Sequence, residues 1–223
     1  GCLPDYLPGN IKISDVELKK PKLPYEIDLP IRSGLSIKEM VQAIDDGHIK
    51  SMMILGNSHS FLNGDFGDFN AALKKLRFLV LIDTFRSEIS DFADAILPST
   101  TFAEKHGTYT NIERRVQLIR PALGPKGDEA DEWRIISQIA NRMGGSGFDH
   151  QTSEDVFNEI RTAVGFYGGI NFNRLQNQGL QWPCTDKNKE GTSILHAEGD
   201  LKAELSPLPM KNVTNATSDE YPY

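Results

Sequence analysis

Apolar residues recur along the chain with two different periods. Between Ser36 and Gly47 they fall at Ile37, Met40, Val41 and Ile44, the i, i+3, i+4, i+7 spacing of one helical face. Ser36-x-x-Glu39 just ahead of that face has the form of a capping box, and Gly47 supplies a residue for a left-handed stop. Ser51–Leu55 and Phe78–Ile82 are instead short, almost wholly apolar and of strand length, with a helical stretch over Asp68–Leu76 between them. A third short strand is predicted over Asp94–Leu97. Half-exposed strands alternate polar with apolar residues, so all-apolar strands joined by a helix predict a parallel sheet covered on both faces.

Further on, Val116–Ile119 predicts another strand, fed by a polar, turn-rich stretch from Glu104 to Arg115. Helices are predicted over Asp131–Met143, with Trp133, Ile136, Ala140 and Met143 on one face, and over Ser153–Val164, with Val156, Phe157 and Ile160. Both stripes read as core. A short helix is expected near Ile170–Gln178. The first 35 residues carry five of the twelve prolines, which predicts an extended arm without long helices. The fold class is therefore α/β, a three-layer Rossmann-like parallel sheet with helices on both faces, plus an irregular N-terminal arm and a C-terminal extension.

Composition narrows the function. With 39% hydrophobic and 25% charged residues the 223-residue chain lies in the globular range. Its net charge of −7 and lack of a long Lys/Arg cluster argue against a nucleic-acid partner. The longest apolar runs, Met52–Leu55 and Phe78–Ile82, fall far short of the roughly 20 residues a membrane helix needs, so no membrane insertion is expected. Cys2 and Cys184 are the only cysteines, and the five histidines are scattered, so neither a disulfide framework nor a metal site can be read. That usage favours a reducing, cytoplasmic compartment. The opening Gly-Cys-Leu-Pro has neither a methionine nor a signal segment and reads as the start of a processed or excised piece.

In open parallel sheets, ligands settle at the carboxyl ends of the strands. Three such ends are predicted here. Gly56-Asn57-Ser58 lets a backbone approach a ligand closely, Asp83 can accept hydrogen bonds from a ribose hydroxyl or a guanine edge, and Ser99-Thr100 can bind a phosphate oxygen. The run Gly107–Arg115 also concentrates hydrogen-bonding groups, either as a further site or as a solvated loop.

The run Ala93-Asp94-Ala95-Ile96-Leu97-Pro98-Ser99-Thr100-Thr101-Phe102-Ala103-Glu104-Lys105, continued by Gly107-Thr108-Tyr109-Thr110-Asn111 and Arg115-Val116-Gln117, resembles the molybdopterin oxidoreductases. Within them it is most similar to the catalytic subunit of formate dehydrogenases. Pro4-Asp5-Tyr6-Leu7-Pro8-Gly9, Asp131-Glu132-Trp133, Gln181-Trp182-Pro183-Cys184 and Gly191-Thr192 with Ile194-Leu195-His196 extend the match over nearly the whole chain.

The resemblance implies a parent that holds molybdenum or tungsten through two pterin guanine dinucleotides and oxidises formate to CO₂. This chain resembles its third, nucleotide-binding domain, so the metal ligands lie elsewhere and no catalytic or metal residue is assigned here. The cofactor-binding set carried over is Gly56, Asn57, Ser58, Asp83 and Ser99. The family's first loop commonly reads Gly-Glu-Asn-Pro, whereas here asparagine moves one place forward and His59 replaces proline.

The implied division is an arm over 1–35, a cofactor-cradling domain over 36–145, and an extension over 146–223 leading to a further domain. Partners would be the remaining domains of the parent chain and electron-transfer subunits. The piece alone is expected to bind no cofactor and to be inactive. Alternatives are a non-catalytic scaffold of the same fold, like the subunit of respiratory NADH dehydrogenases, or another enzyme of the family such as a nitrate reductase.

Overall fold

The computed structural model describes residues 6–7, 11–13, 32–56 and 69–195. By internal contacts the chain divides into Gly1–Ser193 and Ile194–Tyr223. In the second unit the described residues are Ile194 and Leu195, both exposed. All that follows concerns the first. Most of the proline-rich arm and the tail after Leu195 lie outside the described residues. Within the arm, β1 (Tyr6–Leu7) and β2 (Ile11–Lys12) pair antiparallel.

Helix α1 (Ile37–Asp45) starts at the predicted capping box. The Ser36 amide donates to Glu39 Oε2 at 2.7 Å, and the Glu39 amide donates to Ser36 Oγ at 3.4 Å. Gly47, at φ +73°, ends the turn that follows, as its lack of a Cβ allows. Strand β3 (Ser51–Leu55), helix α2 (Phe69–Leu73), strand β4 (Phe78–Asp83) and strand β5 (Ala95–Pro98) come next. The sheet order is β3-β4-β5, and both pairings are parallel. Ser51 lies opposite Phe78, Leu55 opposite Ile82, and Asp83 opposite Pro98. The strands predicted from all-apolar runs are thus neighbours, as expected.

Alternate residues of β4 feed two cores. Leu79 and Leu81 pack with Val41 and Ile44 of α1, with Ile54, and with Phe69, Ala72 and Leu73 of α2. Val80 and Ile82 turn the other way and meet Ile135 and Ile139 of helix α3 (Glu132–Arg142). Helices therefore cover both faces, which makes three layers. A second, antiparallel sheet of order β6-β7-β8 is built from β6 (Gly107–Thr110), β7 (Arg115–Ile119) and β8 (Leu180–Gln181). Its core joins Val116 and Leu180 to Phe157 of α4 (Ser153–Ala163) and to Phe172 and Leu175 of α5 (Phe172–Leu175). The Arg174 guanidinium donates to the Gly169 and Lys189 carbonyls and lies 3.5 Å from the buried Cys184 Sγ, fastening the adjoining loop.

Three expectations are corrected. The polar stretch from Glu104 to Arg115 is not simply a loop, because Gly107–Thr110 pairs with β7 in a hairpin whose ladder satisfies the backbone. At its turn Arg114 takes φ +66°, and its guanidinium donates to the Trp182 and Ser193 carbonyls, so the polar groups there brace β8 and the segment after it. The second correction concerns α3. Its buried stripe is Ile135 with Ile139, while Ile136 and Met143 are exposed. Trp133 and Ile136 instead line a hollow of about 290 Å³ with Val156 and Ile160 of α4. Periodicity alone offers two neighbouring stripes on this helix, and the sheet takes the aliphatic one. The last correction is one of length. The helices predicted over Asp68–Leu76 and Ile170–Gln178 form only as Phe69–Leu73 and Phe172–Leu175.

Replacing the central Leu81 by alanine should cost about 3 kcal/mol, whereas Ile136→Ala on the exposed stripe should cost less than about 1 kcal/mol. Urea denaturation of both variants checks the contrast. A second expectation follows from the caps. The Thr152 hydroxyl holds the Asp155 carboxyl below the ordinary carboxylate range, and the Ser36 hydroxyl does the same for Glu39. Because the folded-state pKa is depressed, the stabilisation is complete above the unfolded value and is lost as pH falls through the folded one. Thermal stability should thus be flat from neutrality to about pH 5 and should drop below about pH 4. Thr152→Ala should cost about 1 kcal/mol at neutral pH and make the acid loss shallower.

Candidate functional site

The register sets the carboxyl ends of β3, β4 and β5 side by side. The Gly56 amide donates to the Ile82 carbonyl at 2.8 Å, and the Ser99 amide donates to the Asp83 carbonyl at 3.0 Å. Gly56 has φ +61°, and among the described residues a Cβ built on it would meet nothing within 4 Å. Asp83 is half-buried and accepts the Thr84 amide at 2.7 Å through Oδ1. Of the residues proposed from the sequence, Gly56, Asp83 and Ser99 are therefore brought together. Asn57 and Ser58, with His59, lie outside the described residues.

At that strand end the Ser99 and Thr100 hydroxyls have partners inside the protein. Ser99 is 2% exposed, and its Oγ lies 3.1 Å from Thr84 Oγ1. The fully buried Thr100 donates its hydroxyl to Asp131 Oδ1 at 2.6 Å, and Asp131 Oδ2 accepts the Trp133 indole N–H at 3.3 Å. Asp131 stands at the N-cap of α3, yet its carboxylate turns away from the helix amides toward these partners. The chain closes the arrangement through Ala130, whose amide donates to the Pro98 carbonyl at 3.2 Å. A string of hydrogen bonds thus runs from the end of β4 through the end of β5 to the start of α3.

Sequence reasoning took Asp131 and Trp133 only as part of the family-like run that opens the helix, and it missed Thr84 as a member of this framework. Its only signal was a short polar residue directly after an apolar strand, which is common at any turn. It also missed Phe85 and Phe102, each 73% exposed on the segments that follow β4 and β5. Nearby, the Thr101 amide holds the Glu104 carboxyl below its ordinary range, and Lys105 pairs with Glu132 at 2.5 Å. Among the described residues no group of three or more His, Cys, Asp or Glu side chains could hold a metal ion. No helix among them is long and apolar enough to cross a membrane. The chemistry on offer is recognition by a carboxylate, hydroxyls, backbone amides and a close-approach glycine.

Comparison with known proteins gives this arrangement a context. The chain is 39% identical over its full length to the F420-dependent formate dehydrogenase subunit alpha of Methanocaldococcus jannaschii, covering 34% of that protein. It is 34% identical over its full length to the F420-dependent formate dehydrogenase 2 subunit alpha of Methanococcus maripaludis, covering 33%. Identity to the assimilatory nitrate reductase catalytic subunit of Bacillus subtilis is 35%, over 92% of this chain and 31% of that one. The chain therefore spans about a third of the length of the curated relatives it matches. Acetylene hydratase from Pelobacter acetylenicus shares the fold, with a TM-score of 0.54 at 18% identity over 66% of this chain and 21% of that one. The sequence model of the molybdopterin oxidoreductase family matches residues 12–142, a span that takes in the parallel sheet, its three strand ends and α3. On that match, which takes in more than half of the chain, the chain belongs to the molybdopterin oxidoreductase family.

Proposed function

We propose that this chain is the part of a formate-dehydrogenase-type molybdopterin oxidoreductase that cradles one pterin guanine dinucleotide, with the guanosine end at the strand ends of β3, β4 and β5. The observation that carries the reading is the alignment of Gly56, Asp83 and Ser99 at neighbouring strand ends. When bound, the metal and its pterins supply the two-electron chemistry, here the oxidation of formate to CO₂. This chain's residues bind and orient. Asp83 accepts hydrogen bonds from guanine or ribose, Gly56 admits the backbone close to the ligand, and Asn57 and Ser58 belong to the same first loop. Ser99, held by Thr84, fixes the third strand end, and Asp131 steadies it through Thr100. Molybdenum and tungsten fit equally, since the metal's ligands belong to other parts of the parent, as do electron-transfer partners.

The similarity to formate dehydrogenase subunits runs over the whole chain, which favours formate over the nitrate chemistry named for the Bacillus relative. In the full-length enzyme, Asp83→Ala should lower guanine nucleotide released on acid hydrolysis by about tenfold, because a lost charge-assisted hydrogen bond is worth about 1.5–3 kcal/mol. Unchanged guanine content would overturn the cradle. The same preparation should reduce dye with formate and leave nitrate unconsumed, and the reverse pattern would move the protein to the nitrate reductases. Residues 1–223 alone should show no formate-dependent dye reduction above buffer.

A further inference from the structure

The amino ends of β3 and β4 lie side by side at the end of the sheet away from the proposed cradle. Ser51 is opposite Phe78, and the Arg77 amide donates to the Lys50 carbonyl at 2.8 Å, so Lys50 and Arg77 are neighbours on that lip. Lys50, Lys74, Lys75 and Arg77 are all exposed there, in a chain whose net charge is −7. The fold accounts for two of them. Lys74 and Lys75 follow the last turn of α2, where free carbonyls favour cations. Lys74 Nζ lies 5.6 Å from the centre of the Phe92 ring, and Lys75 pairs with Asp45 at 2.9 Å. The neighbouring carboxylates are engaged as well, Asp46 with the Gln42 side-chain amide at 3.0 Å and Asp94 with the Leu79 amide at 2.7 Å. Nothing of the kind explains Lys50 and Arg77. Among the described residues neither side chain has an ion-pair partner, and the backbone bond between the two makes no use of their charge. Beside them Phe78 is 48% exposed, although Val80 and Ile82 on the same face of β4 are buried.

We infer that Lys50, Arg77 and Phe78 form a docking point for a short acidic segment of a separate protein, one that carries an apolar side chain among its carboxylates. An exposed aromatic ring beside an arginine is the composition of an interface anchor, in which the ring supplies apolar burial and the cations select and orient the partner. The planar fork of Arg77 matches a carboxylate through two parallel hydrogen bonds. A nucleic acid fits this lip less well, because two unpaired cations cannot follow a row of phosphates and a long polyanion meets the acidic remainder of the chain. A membrane surface calls for roughly four to eight clustered Lys or Arg side chains. A short segment touches only the lip, and charges more than about 8 Å away are screened at physiological salt. Strand β3 runs five residues, about 17 Å, between this lip and Gly56. The partner therefore binds without covering the cradle, and the inference does not depend on the cradle.

The test is fluorescence-polarisation binding of a fluorescein-labelled peptide, in which Glu and Asp residues flank a single Phe, to the full-length enzyme at low salt. Lys50→Glu combined with Arg77→Glu should weaken binding about tenfold or more, and Phe78→Ala about threefold or more, with thermal unfolding unchanged. Lys126→Glu combined with Lys187→Glu makes the same change of net charge on exposed loops and should leave the affinity as it was. Unchanged affinity in either lip variant, equal weakening by the loop variant, or no binding of the peptide to the unsubstituted enzyme would overturn the inference. Tighter binding of a single-stranded oligonucleotide, lost with Lys50→Glu and Arg77→Glu, would overturn it in favour of a nucleic acid. The readout needs neither cofactor nor formate, so its failure is distinct from loss of guanine in Asp83→Ala.

Discussion

Everything in the parallel layer depends on β4 being satisfied on all sides. Its backbone is paired to β3 on one edge and β5 on the other, and its alternate side chains fill two separate cores. A polar side chain at Leu79, Val80, Leu81 or Ile82 would be buried against aliphatic neighbours without a partner, a cost of about 1–3 kcal/mol or more. That constraint explains the unbroken run Leu79-Val80-Leu81-Ile82. It also fixes the height of the sheet. Once β3 and β5 are aligned on β4, Gly56, Asp83 and Ser99 are level with one another.

The strand ends differ in what they can still do. At β5 the hydroxyls of Ser99 and Thr100 are used up inside the protein, tying the strand to Thr84 and to Asp131 at the head of α3. Such a string of hydrogen bonds is rigid because each buried member leaves an unsatisfied group behind if another moves. At β3 the strand ends on Gly56 in the left-handed region, where among the described residues no atom lies within 4 Å of a Cβ position. The exposed Phe85 and Phe102 border this region and add apolar surface to otherwise polar recognition.

The chain spans about a third of the length of its relatives, and among the described residues the parallel sheet has three strands, with β3 and β5 at its edges. The antiparallel sheet is more self-contained. Arg114 and Arg174 each bind several backbone carbonyls, and their fixed forks of donors hold loops that have little apolar content of their own.

The sequence by itself determined the elements whose causes are local. The capping box at Ser36, the stop at Gly47, and the all-apolar strands Ser51–Leu55 and Phe78–Ile82 depend on side-chain chemistry within a few residues. The family resemblance was legible for the same reason, carried by contiguous runs such as Ala93–Lys105. Only the tertiary structure decided which stripe of α3 faces the sheet, because two stripes of similar hydrophobicity competed and the choice lay with Val80 and Ile82. It alone decided that Gly107–Thr110 is a strand, since a polar hairpin gains its energy from a partner sequence. It also decided that the Ser99 hydroxyl faces Thr84 rather than solvent, a contact across 15 residues that no local pattern encodes.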